Sequence, residues 1–220
     1  MREARDKNIA SMFGGVAEGV RLNKKGMLVQ KTTIGLDIGH SMVKAVALSA
    51  NGKNVVRFPS VVSPAIDISD ESAASSAQLE TVLVNGRAYF TGATAISQGA
   101  ANSVTGLSQN WVGSTEHAAL FLSALHRLKQ TGVPGVDDAL LLLGLPSEYF
   151  KTQRDVLRDR AAEHFAGEVI VQPQPAGPYY GVMFNTDGSI ASGRSMANES
   201  WAVIDVGHFT SDFLLVIRGE

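Results

Sequence analysis

The segment IGLDIGHSMVK at residues 34–44 has a second copy near the other end of the chain, VIDVGHFTSD at residues 203–212. Each copy is an apolar run ending in Asp, then one apolar residue, Gly and His, and then a second apolar run. A short apolar run rich in β-branched residues is typical of a buried strand. Each copy therefore predicts two strands joined by a tight turn, with Asp37 or Asp205 ending the first strand.

The residues of these turns favour phosphate as a ligand. Gly39 and Gly207 permit a sharp turn, and successive backbone N–H groups in such a turn form a concave site for an anion. The neighbouring Asp would repel a phosphate unless Mg²⁺ lay between them. Two such turns facing each other would hold the phosphates of a nucleotide from both sides. The alternative is two unrelated hairpin turns, because Asp and Gly are common in turns of every kind.

Neither copy is one of the common glycine-rich nucleotide loops. The patterns GxxxxGK[ST] and GxGxxG are absent from both. A further strand, Val43–Leu48 or Phe213–Ile217, follows each glycine where those loops would open a helix. Each copy is therefore interpreted as a strand–turn–strand phosphate clip.

The pair resembles the phosphate-1 and phosphate-2 motifs of the superfamily that contains actin, sugar kinases and heat-shock-chaperone ATPases. The first copy resembles the phosphate-1 motif through Asp37, Gly39 and Lys44. The second resembles the phosphate-2 motif of plasmid-segregation actins of the ParM/StbA type through Asp205, Gly207, Thr210 and Asp212. This resemblance implies an α/β, ribonuclease H-like actin-type ATPase domain, with a mixed sheet and flanking helices.

The resemblance also implies roles for individual residues in binding ATP and Mg²⁺. Asp37 and Asp205 would hold Mg²⁺ through water. Gln174, in the segment QPQP at residues 172–175, would orient the attacking water, since an amide can position a water although it is no general base near neutral pH. The residues expected to bind the Mg²⁺ and ATP cofactors are Asp37, Gly39, His40, Ser41, Lys44, Asp205, Gly207, His208, Thr210 and Asp212.

Two of these interpretations have alternatives. The Gln174 segment is also consistent with a polar helix-capping loop that has no part in chemistry. His40 and His208 each follow a motif glycine, and a facing pair of imidazoles is a candidate metal site. Further ligands for a metal are not evident, so we expect the two histidines to line the cleft and contact phosphate.

Composition narrows the partners and the compartment. The formal net charge of −2 gives no reason to expect direct binding to nucleic acid. The chain has no cysteine, which excludes disulfides and thiolate metal sites and fits a reducing cytoplasm. No apolar run approaches the roughly 20 residues needed to cross a bilayer. We therefore expect a cytoplasmic protein that does not bind membranes.

The sequence predicts three regions. Residues 1–26 are expected to be a disordered or weakly helical extension before a natural start at Met27, with a functional N-terminal arm as the alternative. Residues 27–184 are expected to form the first domain of an actin-like ATPase, with inserted subdomain elements. Residues 185–220 would begin a second domain at the phosphate-2 hairpin. Because the family's adenosine-binding motif is absent, we expect a truncated second half.

Several elements between the two copies are predicted from local patterns. Asn51-Gly52 and Asn85-Gly86 are typical hairpin turns, and a further strand is expected around Ser60–Ser63. Residues 67–78 are interpreted as a surface loop and residues 97–113 as irregular. The remaining predictions are a helix over Thr115–Gln130 with His117 and His126 at its surface or rim, a buried strand over Ala139–Leu143, a helix over Lys151–Phe165 and a strand over Val169–Val171.

The expected function is that of an actin-like filament protein that binds and hydrolyses ATP during plasmid or DNA segregation. Self-association into filaments and a DNA-bound adaptor protein would be its partners. One alternative is a sugar- or acetate-kinase-like phosphotransferase, which would need a carboxylate over an acceptor hydroxyl. A second alternative is a catalytically inactive, truncated interaction module.

Overall fold

The computed structural model describes residues 20–22, 28–99, 104–105, 110–185, 189–207 and 211–219, and their side chains from residue 31 onward except at 104–105. The strands are β1 Val20–Leu22, β2 Leu28–Gln30, β3 Thr33–Ile38, β4 Met42–Ser49, β5 Gly52–Pro59, β6 Val61–Pro64, β7 Thr81–Val84, β8 Arg87–Thr91, β9 Val104–Thr105, β10 Leu140–Leu145, β11 Glu168–Pro173, β12 Ser200–Val206 and β13 Ser211–Ile217. The helices are α1 Glu71–Gln78, α2 Gly92–Gly99, α3 Thr115–Gln130, α4 Ser147–Ala162 and α5 Ala176–Met183, with 3₁₀ turns at Trp111–Gly113 and Val136–Asp138.

A mixed five-stranded sheet in the order β11-β10-β3-β4-β5 forms the centre of the fold. Strands β3, β4 and β5 are antiparallel neighbours, whereas β10 runs parallel to both β3 and β11. The leucine run of β10 is buried at Leu141 and Leu143, as expected for a strand inside a sheet covered on both faces. The predicted fold class and the predicted buried strand are confirmed.

Helix α3 begins at Thr115 and ends at Gln130, as predicted. It starts there because the Ser114 side chain accepts a hydrogen bond from the His117 backbone N–H at 3.1 Å, which satisfies one free donor of the first turn. Its buried face includes Ala119, Leu120 and Ala124. This face packs on β3, β4 and β5 and closes the core.

The two histidines of α3 were both predicted to lie at the surface or rim, and only one does. His126 is exposed, as expected. The prediction that His117 lies at the surface or rim is wrong, because its side chain is buried with its ring edge-on to Trp111 at 5.7 Å. Burial lowers the pKa of His117 to about 4, so the imidazole is neutral at neutral pH.

A smaller sheet in the order β7-β8-β6-β9 lies beside the central one. The predicted hairpin of β7 and β8 is confirmed, and Asn85 and Gly86 both adopt positive φ at its turn, as a two-residue hairpin loop requires. The strand expected around Ser60–Ser63 is β6.

Three predictions of local structure need correction. The expected surface loop at residues 67–78 contains α1, whose first turn is capped by the Asp70 carboxylate accepting from the Ala73 N–H at 2.7 Å. The segment 97–113, expected to be irregular, includes the end of α2, β9 and a 3₁₀ turn, while residues 100–103 and 106–109 lie outside the described ranges. Helix α4 begins at Ser147, four residues before the expected start at Lys151.

The second copy of the motif forms a separate hairpin, in which β12 and β13 pair antiparallel. One face of this hairpin packs on α5 through a small cluster centred on Tyr179, Met183, Met196 and Val216. We call α5 with β12 and β13 the hairpin lobe, and the central sheet with its helices the body.

The predicted domain boundaries at residues 26 and 184 stay predictions. Of the expected extension at residues 1–26, only Val20–Leu22 is described, where it forms β1 and pairs with β2. None of the described helices combines the length and apolarity needed to cross a lipid bilayer.

Candidate functional site

The first turn joins β3 to β4 and carries Asp37 at its edge. In the register of the two strands, Asp37 lies directly opposite Lys44. The Gly39 N–H donates to the Met42 carbonyl at 3.2 Å. A Cβ on Gly39 would lie 3.1 Å from that same oxygen, so the close approach of the two strands favours glycine here.

Ser60 holds this turn from the outside. Its side chain is fully buried, and its Oγ donates to the Gly39 carbonyl at 2.5 Å. Its backbone N–H donates to the Ser41 carbonyl at 2.9 Å. Ser60 therefore fixes both ends of the turn, a role that sequence reasoning missed because nothing in the local pattern separates it from an ordinary residue between two strands.

Gln174 directly follows β11, and its side chain contacts Asp37. Its Nε2 donates to Asp37 Oδ1 at 2.7 Å, across 137 residues of sequence. The Gln174 backbone N–H donates to the Leu145 carbonyl at 2.9 Å, which fixes where the side chain starts. The contact forms because parallel strands β3, β10 and β11 end at the same edge of the sheet, where open α/β sheets place their ligands.

Gly144 lies next to the contact between Gln174 and Asp37. A Cβ on Gly144 would lie 3.0 Å from Gln174 Cγ and 3.8 Å from Asp37 Oδ1. Any larger residue would push the Gln174 side chain away from Asp37. The sequence places a glycine at the end of a buried strand, which is the one signal that could have marked Gly144 as a site residue.

Burial and the neighbouring charges together shift the pKa of Asp37. The pKa of Asp37 is raised, first by burial and then by the nearby charge of Asp205, while Lys44 and the Gln174 hydrogen bond oppose the rise. Lys44 Nζ lies 3.4 Å from Asp37 Oδ2, and the Asp37 side chain remains about one-third exposed. Asp205 is thus near enough for its charge to act on Asp37, and two carboxylates that repel each other at one site favour a cation between them.

The second turn joins β12 to β13, and its own register pairs Asp205 with Asp212. Asp205 is half-buried and Gly207 is exposed. The predicted phosphate contacts His208 and Thr210 lie outside the described residues.

Asp212 has a partner that the sequence did not predict. Its side chain is 8% exposed, and its Oδ1 accepts a hydrogen bond from the Ser147 N–H at 2.7 Å. This carboxylate therefore caps the N-terminus of α4, where negative charge is favoured. Its expected role in binding the nucleotide cofactor stays a prediction.

The structure brings four of the predicted residues together: Asp37, Lys44, Gln174 and Asp205. His40 and Ser41 lie in the first turn beside them, half-buried and exposed respectively. Within the described ranges, no group of three or more His, Asp or Glu side chains could hold a metal ion by itself. Mg²⁺ is commonly bound by one or two carboxylates plus water and phosphate, so the pair Asp37 and Asp205 fits that cation without a third protein ligand.

Known proteins with the same fold were found by sequence and by structure. Residues 35–177, well over half of the chain, match the model of the N-terminal domain of actin-like proteins. No curated protein sequence matches the chain.

Solved structures of low sequence identity superpose on it. The pCBH ParM non-polymerisable quadruple mutant is 23% identical with a TM-score of 0.59, over 84% of this chain and 58% of its own length. AlfA from B. subtilis plasmid pLS32, solved as a filament, is 18% identical with a TM-score of 0.58, over 86% and 68%. MreB 5 of Spiroplasma citri bound to AMPPNP is 20% identical with a TM-score of 0.53, over 86% and 50%. At such identities the likeness shows the fold, and the chain spans between half and about two-thirds of the length of these proteins.

Proposed function

The chain belongs to the family of actin-like proteins, whose N-terminal domain it carries at residues 35–177, and from this premise we propose that it binds Mg·ATP between its two aspartate-bearing turns and hydrolyses it. The resemblance to plasmid-segregation actins is confirmed by the family match and by the likeness to ParM. We further propose that the ATPase acts in a cytoplasmic filament that segregates plasmid or other DNA.

One observation carries the nucleotide proposal. Asp37, Gln174 and Asp205 come from three separate parts of the sequence and meet at one edge of the central sheet. The pKa of Asp37 is raised, which means that ionising this carboxyl group costs free energy in the folded chain. Such a cost is expected where a ligand cation supplies the missing charge, and carboxyl groups with shifted pKa values are frequent at functional sites.

Each residue of the site has a separate role in the proposed hydrolysis. Asp37 and Asp205 would hold Mg²⁺, which would neutralise charge on the phosphates. Lys44 would add a positive charge, and the turns at Gly39–Ser41 and Gly207–Thr210 would hold the phosphate oxygens. Gln174 donates to Asp37 through Nε2, so its carbonyl oxygen is the atom that would orient a water for attack. Catalysis of this kind consists of positioning and charge neutralisation.

The filament proposal draws on the relatives. AlfA was solved as a filament, and the ParM structure is of a mutant made non-polymerisable. We propose that this chain likewise associates with copies of itself, and that an adaptor protein attaches the filament to DNA. The net charge of −2 gives the chain no basic surface excess for binding DNA directly.

Titration with a fluorescent ATP analogue tests the nucleotide site. Binding should require Mg²⁺, and Asp205→Ala should weaken it at least tenfold, which is about 1.4 kcal/mol. Asp155→Ala is the matched control, because Asp155 is an exposed carboxylate on α4. Mg²⁺-independent binding, or equal binding by Asp205→Ala and the unaltered chain, would contradict the metal assignment.

Asp37→Asn separates loss of binding from loss of folding. Because the pKa of Asp37 is raised, the ionised carboxylate is disfavoured in the folded chain, and a neutral amide should leave the nucleotide-free protein at least as resistant to urea. The same variant should lose Mg·ATP binding.

Phosphate release distinguishes the proposed ATPase from its two rivals. Release of phosphate in buffer without an acceptor supports the ATPase. Transfer that requires an added sugar or acetate supports the kinase alternative, although the residue at the expected position is the amide Gln174. Binding without turnover leaves the interaction-module alternative.

A further inference from the structure

A small cavity lies between the first turns of α3 and the end of α4, and the turn of the β7–β8 hairpin closes its third side. Its volume is about 60 Å³, and its lining comes from residues 84–164, all of them in the body. It lies at the opposite end of α4 from Ser147, about 20 Å along the helix at 1.5 Å per residue. The cavity is therefore separate from the two aspartate-bearing turns.

His117 is the buried polar side chain of this lining. It is 7% exposed, and its ring forms part of the cavity wall. Among the described residues, no donor or acceptor pairs with either ring nitrogen, and the nitrogens are not sealed from solvent. An imidazole withdrawn from bulk water without a hydrogen bond is unfavourable. The cavity is thus the place from which His117 can receive a partner.

The charges around the cavity favour an anion as that partner. Arg160 and His164 line it from the α4 side, and the positive end of the α3 dipole lies beside it. Among the described lining residues, Glu163 is the only carboxylate, and both of its oxygens accept from Arg160 Nη1, at 3.1 and 3.2 Å. Nη2 and Nε of Arg160 remain as donors for a second acceptor. No group of three or more described side chains here could hold a metal ion.

Size and polarity narrow the anion further. At roughly 10–15 Å³ for each water-sized group, the cavity holds about four to six such groups. Much of its wall is apolar, formed by Val84, Val112, Phe121 and Leu157. A short hydrocarbon tail fits such a wall, whereas phosphate has no apolar part to place there. A carboxylate of about two to four carbons meets both conditions.

We propose that this cavity binds a short-chain carboxylate, with the carboxylate group between His117 and Arg160 and the tail on the apolar wall. On binding, the His117 imidazole takes a proton from solvent and donates an N–H to a carboxylate oxygen. Burial lowers the pKa of His117 to about 4, and a neighbouring negative charge raises it. The site goes beyond the proposed nucleotide function and depends on no part of it.

The first test titrates propionate into the 220-residue chain without nucleotide and follows the His117 ring signals by NMR. Binding with a dissociation constant on the order of 1 mM is expected for a ligand of this size. Propionamide has the same shape without the charge, and inorganic phosphate has the charge without the tail, so each should bind at least tenfold more weakly. Propionamide or phosphate binding as tightly as propionate would overturn the proposal. Ring signals that do not respond to propionate would mean that the cavity holds water only.

A second variant fills the cavity without changing its charge. Ala118 lines the cavity and is half-buried, so Ala118→Met should weaken propionate binding at least tenfold while the urea midpoint stays unchanged. Ala162→Met is the matched control, because Ala162 is an exposed alanine of α4 outside the lining. Equal propionate binding by the two variants would contradict the assignment of the cavity.

The pH dependence tests the role of His117. Between pH 7.5 and pH 5.5 the affinity for propionate should rise about tenfold in the unaltered chain and less than about threefold in His117→Gln. The other titratable groups of the lining are Glu163 and His164 at the end of α4, while Asn85 on the hairpin turn does not titrate. His164→Gln should therefore keep the pH dependence, and its loss in that variant rather than in His117→Gln would show that His117 is not the proton acceptor.

These results are independent of the nucleotide experiments. Asp205→Ala should bind propionate as the unaltered chain does, because Asp205 lies in the hairpin lobe and does not line the cavity. Loss of propionate binding in Asp205→Ala would contradict a separate site, whatever happens to the binding of Mg·ATP.

Discussion

The two aspartate-bearing turns have the same spacing but different chemistry across their strands. In each copy the Asp is followed seven residues later by the residue that lies directly opposite it. In the first copy this gives Asp37 opposite Lys44, an ion pair of opposite charge. In the second copy it gives Asp205 opposite Asp212, two carboxylates whose direct opposition is unfavourable in a sheet.

The surroundings explain how both arrangements are tolerated. The first turn lies inside a five-stranded sheet and is held by Ser60 and Gln174. The second turn belongs to a two-stranded hairpin, where Asp212 faces the N-terminus of α4 and donors there offset its charge. The same motif is thus stabilised by the sheet in the body, and by packing on α5 and the Asp212 cap of α4 in the hairpin lobe. This difference predicts that the body and the hairpin lobe respond separately to acid, to core substitutions and to removal of the cap.

Acid should affect the body most. The pKa of His117 is about 4 in the folded chain, against 6.5 for the free side chain, so the unfolded chain takes up the proton first as the pH falls. The stability that depends on the neutral ring is complete above pH 6.5 and is lost between pH 6.5 and 4, by about 3 kcal/mol in total. Urea unfolding at several pH values measures this loss.

The control for this experiment compares two histidines of one helix. His117→Gln should flatten the acid dependence in that pH range, whereas His126→Gln should retain it because His126 is exposed. Equal slopes in the two variants would show that His117 is not the group responsible.

Matched valine substitutions compare the two cores. Val43 on β4 is completely buried in the body, and Val216 on β13 is buried in the small cluster of the hairpin lobe. Val43→Ala should lower the unfolding free energy by about 2 kcal/mol and Val216→Ala by about 1 kcal/mol, because the smaller cluster can collapse around the lost methyl groups.

The two tryptophans report the regions separately, since Trp111 lies in the body and Trp201 in the hairpin lobe. In single-tryptophan variants, the Trp201 signal should change at lower urea than the Trp111 signal. Coincident transitions would mean that the lobe and the body unfold as one unit.

Removing the cap that links the lobe to the body should have the smallest effect. Asp212→Ala deletes the acceptor of the Ser147 N–H but also removes the repulsion of Asp205, so we expect a net loss of about 1 kcal/mol in unfolding free energy. Asp212→Asn keeps an acceptor and removes the charge, so its loss should be smaller. Chemical denaturation of both variants measures the difference, and an Asp212→Ala variant as stable as the unaltered chain would show that the cap contributes nothing.

Prediction from sequence succeeded where the signal was local. The hairpin at Asn85-Gly86, helix α3, and the pairing of apolar runs around Asp37 and Asp205 all follow from residues within a few positions of one another. It failed for α1, because a segment rich in Ser and Ala with one buried residue has almost no apolar periodicity. It failed for His117, because the ring packs against Trp111 and is buried, which its own sequence neighbours do not indicate.

By itself, the amino-acid sequence determined the two aspartate-bearing turns and the family, and it named Asp37, Gln174 and Asp205 as candidates for the site, since these depend on residue type and spacing along the chain. Only the tertiary structure decided that Gln174 donates to Asp37, that Gly144 leaves room for that contact, that Ser60 anchors the first turn and that Asp212 caps α4. The physical reason is that each of these contacts joins residues 21 to 137 positions apart, or needs a space that exists only after the strands have packed. Local sequence carries no information on either.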